Sequence, residues 1–68
     1  LAANLKRYRL AAGLSQEELA HRADLDRTYV SSLERGRYSA SVDKLEHLSI
    51  ALGIEASELL VKTTSPDP

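Results

Sequence analysis

Three short runs of apolar residues at helical spacing each give out at a glycine, and this punctuation limits the possible folds of the 68-residue chain more than any other feature. Leu1, Leu5, Tyr8 and Ala12 recur on one face ahead of Gly13, Val30 and Leu33 precede Gly36, and Val42, Leu45, Leu48 and Leu52 precede Gly53. A helix commonly ends on a glycine, whereas a half-buried strand needs an alternation of apolar and polar residues that no stretch here supplies. Twelve Leu and nine Ala favour the same answer, so the expected fold class is all-α. At this length only about 60% of the unfolded surface can be buried, and the core must be thin. With no Cys there is neither a disulfide framework nor a thiolate metal site, so added stability is expected from regular helix packing or self-association.

The caps set the helix boundaries. A first helix is expected from near Leu1 to Ala12. Ser15 followed by Glu18 fits a capping box, in which each side chain satisfies an orphan backbone amide of the other, and opens a second helix over Gln16 to Ala23. Asp24 begins a turn, Asp26 is placed to cap a third helix from Arg27 to about Arg35, and Ser41 caps a fourth. A short fifth helix is expected from Ala56 to Val61. Residues 1–61 then form one domain, and 62–68 (KTTSPDP), with two Pro and no apolar residue, read as a flexible tail. The chain begins at Leu1 rather than Met, and residues ahead of it are expected.

The formal net charge is only -1, but its distribution is uneven. Seven basic and five acidic side chains give Leu1 to Ser39 a charge of +2, and two basic against five acidic give the remainder -3. One pole can face phosphate while the other avoids it. No apolar run approaches the roughly 18 to 20 residues that span a bilayer, and no signal-peptide pattern is present, so a cytoplasmic location is expected. His21 and His47 belong to no metal-ligand pattern, and no phosphate-binding glycine loop, nucleophile elbow or carboxylate pair is present. Neither a metal, a cofactor nor an enzymatic activity is expected.

On a helical wheel, Arg27, Thr28, Ser31, Ser32 and Arg35 occupy one arc of the third helix, with Tyr29, Val30, Leu33 and Glu34 opposite. An outer face made only of hydrogen-bonding side chains suits the DNA major groove, where Arg bonds guanine bidentately and Ser or Thr meets base edges or a thymine methyl. Taken alone, the wheel favours a merely solvated surface helix, since nearly every surface helix has such a face.

Three segments in order narrow the choice: GLSQEELA, LDRTYVSSLERG and LEHLSIALGI. Together they resemble the helix-turn-helix of the Cro and phage-repressor class, the Xre family, over about Leu5 to Leu60. LDRTYVSSLERG also resembles the recognition region of the controller proteins of restriction-modification operons. The resemblance implies a five-helix lambda-repressor-like domain with its helix-turn-helix at helices 2 and 3, acting as a transcriptional regulator on double-stranded DNA. It implies base contacts by Arg27, Thr28, Ser31 and Ser32, and backbone contacts by Gln16, Arg35, Arg37 and Tyr38. Arg37 has a base or minor-groove contact as its alternative, and a solvated loop remains the plain reading of this flank. Tyr29 is expected to be partly buried with its hydroxyl near phosphate. The start of the second helix, with its free amides and positive dipole end, independently favours an anion near Gln16. Arg9 and Glu34 match positions that form an ion pair in the family. Ala20 is small where helices 2 and 3 cross, and Asp24 stands where the family usually has Gly.

Ile50, Ile54, Leu59, Leu60 and Val61 are more apolar material than a short last helix needs, and a homodimer through them is expected, as is common in the family. An activator of this class would also touch RNA polymerase, at residues the sequence does not locate. The competing class is a protein-interaction module that docks a partner through the same apolar surface.

Overall fold

The computed structural model describes residues 1–37 and 40–60. Five helices follow in order: α1 (Ala2–Ala11), α2 (Gln16–Ala23), α3 (Arg27–Glu34), α4 (Val42–Leu52) and α5 (Ala56–Leu60). The expected tail 62–68 lies outside the described residues, as do Tyr38 and Val61. α2 packs on α3 and α4, α1 on α3 and α5, and α4 on α5. Leu5, Leu14, Leu19, Ala20, Ala23, Val30, Leu33, Leu45, Leu48 and Leu59 form one core shared by all five helices.

Local chemistry accounts for the boundaries. The Ser15 Oγ accepts the Glu18 amide at 3.0 Å while the Glu18 carboxylate accepts the Ser15 amide at 2.8 Å, so the capping box at the start of α2 is complete. Ser41 Oγ accepts the Lys44 amide at 3.3 Å at the start of α4. Asp26 occupies the N-cap position of α3, but contrary to expectation its side chain makes no capping bond.

α1 to α4 all stop in the same way. A residue with positive φ follows the helix, and the next amide bonds a carbonyl five residues back: Leu14 to Arg9 (3.1 Å), Leu25 to Ala20 (2.8 Å), Arg37 to Ser32 (3.0 Å) and Ile54 to Ser49 (3.0 Å). This double reversal satisfies carbonyls that the helix end would orphan. The positive-φ residue is glycine three times and Asp24, at φ 58°, once. After α1, α2 and α4 the residue beyond it is apolar and turns back on the core, with Leu14 buried and Leu25 and Ile54 half-buried against it, whereas after α3 it is the exposed Arg37.

Two expectations change here. Val42 is 80% exposed rather than part of the buried face of α4, because it lies in the first turn before the helix meets the core. His47, expected simply to face solvent, is exposed but holds the Ala23 carbonyl oxygen through Nδ1 at 3.1 Å, joining α4 to the end of α2.

Candidate nucleic-acid interface

Val30 and Leu33 are fully buried, and they fix how α3 sits on the domain. With that face committed, Arg27, Thr28 and Arg35 are exposed and Ser31 and Ser32 are partly exposed along the opposite side. The structure therefore brings together on one outward surface all four residues expected to meet bases. Arg37 is exposed just beyond the helix, beside Arg35. Tyr38, expected at the same flank, lies outside the described residues.

Tyr29 is half-buried, as expected, and the Lys44 ammonium sits 5.7 Å from its ring centroid. Periodicity does not single out Lys44. The available signal is its place as one of only two cations in the acidic half, three residues after the capping Ser41. An ammonium near the start of α4 opposes the positive dipole end, and its contact with the electron-rich face of Tyr29 offsets that.

The Arg9–Glu34 pair forms as expected and binds more than two helices together. Arg9 Nε donates to Glu34 Oε2 at 2.6 Å, Nη2 to Oε1 at 3.0 Å, and Nη1 to the Leu14 carbonyl at 2.9 Å. The two side chains are only 9% and 4% exposed. The hydrogen bond to Glu34 raises the Arg9 pKa above its ordinary value against the opposing effect of burial. Gln16, at the first position of α2, donates from Nε2 to the same Glu34 Oε1 at 3.1 Å, a bond the sequence did not reveal.

The apolar set divides. Ile50 and Leu60 are 71% and 57% exposed and present free apolar surface. Ile54 is half-buried by the helix stop after α4. Leu59 does not belong with them: it is fully buried in the core, because it is the residue by which α5 docks, and it offers a partner nothing. Val61 lies outside the described residues. Leu10, 58% exposed on α1, is a further surface apolar residue.

α2, the turn Asp24–Leu25–Asp26 and α3 with its outward polar face make this a helix-turn-helix domain. Residues 5–59 match the family described as helix-turn-helix, and the chain belongs to it. It is 46% identical over 61 residues to a hypothetical transcription factor of Neisseria meningitidis, covering 90% of this chain and 58% of that protein. It spans less than two thirds of the length of that relative and of the control proteins C.BamHI of Bacillus amyloliquefaciens and C.MunI of Mycoplasma, which it also matches. Its fold is similar to the restriction-modification controller protein C.AhdI from Aeromonas hydrophila, with 45% identity and a TM-score of 0.83 over 85% of this chain and 88% of that one. It is also similar to the biofilm regulator SinR in complex with DNA, at 34% identity and a TM-score of 0.85 over 88% of this chain and 97% of that one.

Proposed function

We propose that this chain is a sequence-specific DNA-binding transcriptional regulator, of repressor or controller type, acting in the cytoplasm as a homodimer on a near-palindromic operator. The observation that carries the reading is the outward face of α3, where Arg27, Thr28, Ser31 and Ser32 stand over fully buried Val30 and Leu33. A rigidly seated helix with only hydrogen-bonding groups outward fits the major groove. Relatives named as a hypothetical transcription factor and a controller protein, and a fold neighbour that is a regulator in complex with DNA, support it.

In this reading Arg27, Thr28, Ser31 and Ser32 meet base edges. Gln16, Tyr29, Arg35, Arg37 and Tyr38 hold the backbone. Ile50 and Leu60 pair two copies, with Ile54 at the margin and Val61 as a further member of the set. Two α3 helices then require half-sites about 34 to 36 Å apart.

Selection of duplexes from a random pool, with affinity followed across salt, tests this. A near-palindrome bound with a steep negative salt slope is expected. If a folded chain enriches no sequence at low salt, the domain is a protein-interaction module instead.

A further inference from the structure

We propose that Glu34 is the positioning residue for the phosphate contact of Gln16: the buried Arg9–Glu34 pair engages one N–H of the Gln16 amide and leaves the second for a phosphate oxygen. This rests on the DNA-binding reading above and assigns a mechanism to one of its contacts. A carboxylate only accepts hydrogen bonds, so the nitrogen of the Gln16 amide, not its oxygen, must face Glu34. That nitrogen lies 3.1 Å from Oε1. Oε1 also takes Arg9 Nη2 at 3.0 Å and Oε2 takes Nε at 2.6 Å, so the carboxylate is held on both oxygens. Arg9 is itself anchored on the Leu14 carbonyl at 2.9 Å, and neither charged side chain is more than 9% exposed. The pair is a fixed support.

Two consequences follow for an anion at the start of α2. An amide is planar, so fixing one N–H fixes the direction of the other. The rotamer freedom of a long side chain is then lost on folding rather than on binding, which favours binding. The charge of Glu34 is also neutralised by a two-point guanidinium bond, so a carboxylate close to the helix start does not repel phosphate there. Arg9 and Glu34 thus act on DNA through Gln16 without touching it.

Gln16 and Asn4 carry the chain's only side-chain amides, which makes the Gln16 protons simple to follow by nitrogen-15 NMR. In the free wild-type chain the two Gln16 amide protons are expected well apart in shift. The selected duplex should move one of them while the Glu34-bonded proton stays. Two protons at the closely spaced shifts of a solvated glutamine, or displacement of the Glu34-bonded proton on DNA, overturn the proposal. In affinity, Gln16→Ala and Glu34→Gln are each expected to weaken binding roughly tenfold, as loss of a charge-assisted hydrogen bond does. The double variant should be no weaker than the weaker single, since both act through one amide. Independent, multiplying losses overturn the proposal. If the chain binds no duplex, the DNA-binding reading falls and this contact with it, whereas binding with multiplying losses leaves that reading intact.

Discussion

The side-chain amide of Asn4 donates to the carbonyl oxygen of Leu59 at 3.1 Å, joining the first helix to the last across 55 positions of sequence. Asn4 is 2% exposed, and the bond ties its buried amide to the end of α5. Beside it, the Tyr8 hydroxyl donates to Glu58 Oε1 at 3.1 Å, which holds the phenol pKa above its ordinary 10.0. A five-residue helix cannot persist alone, so these contacts and the burial of Leu59 keep α5 in place. Asn4→Ala should therefore cost about 1–3 kcal/mol, the penalty for an unsatisfied buried polar group. Urea unfolding measures the loss, and amide exchange should rise first in α5. Parental stability in that variant would remove the latch.

Asp24 is the one stop residue among α1 to α4 that is not glycine, and it sits at φ 58° and ψ 45°. Left-handed backbone costs a residue with a Cβ roughly 1–2 kcal/mol, somewhat less for Asp. Asp24→Gly removes that strain but adds freedom to the unfolded chain, which offsets part of the gain. The net expectation is stabilisation of about 0.5–1 kcal/mol, seen as a raised melting temperature by calorimetry. Asp24→Val should move it the other way. A lower melting temperature for the glycine variant would mean that the Asp side chain stabilises the turn by more than its strain.

These stops also show how much could be read from residues alone. Helix identity and the bounds of α2 followed from Ser15, Glu18 and the glycines, because caps act within a few residues. The inward and outward halves of α3 followed from periodicity. What stayed hidden was tertiary. Asn4 meeting Leu59, His47 meeting Ala23 and Gln16 meeting Glu34 join residues with no periodic relation. Apolar spacing likewise could not separate buried Leu59 from exposed Leu60, since their difference is set by how α5 docks.

Stability should fall in acid through Glu18. Its carboxylate accepts the Ser15 amide, and that bond, with the Ser15 side-chain interaction next, holds its pKa below the ordinary 4.5. A depressed folded-state pKa means the contribution is fully present above the unfolded value and lost as pH falls through the folded one. Melting temperatures between pH ~7 and pH ~3 should therefore drop more for the parent than for Glu18→Gln, whose amide does not titrate in that range. Parallel pH curves for the two would dismiss the capping box as a source of acid sensitivity.

In the proposed homodimer, Ile50 and Leu60, 71% and 57% exposed on α4 and α5, are the residues that would meet across the two-fold axis. A single carboxylate placed there would be desolvated twice in a symmetric interface. Ile50→Glu or Leu60→Glu should yield monomer in sedimentation at micromolar concentration while leaving the circular dichroism unchanged. Binding to a single half-site should survive, and binding to the full operator should weaken. A parent that sediments only as monomer, even with DNA, would exclude the paired geometry.

Arg27 and Arg37 should separate sequence reading from simple attraction. Arg27 opens α3 on its outward face and in the proposed complex would meet the two acceptors of a guanine, while Arg37 lies beyond the helix end and would meet a phosphate. Arg27→Ala should cost about 1–3 kcal/mol on the selected operator and relax preference at one base position in each half-site. Arg37→Ala should weaken all duplexes alike and make the salt slope shallower by about one for each phosphate no longer neutralised. Titrations of both variants against the operator and a scrambled duplex, at two salt concentrations, distinguish these roles. A uniform loss for Arg27→Ala would assign it to the backbone, and altered base preference for Arg37→Ala would extend direct reading past the end of α3.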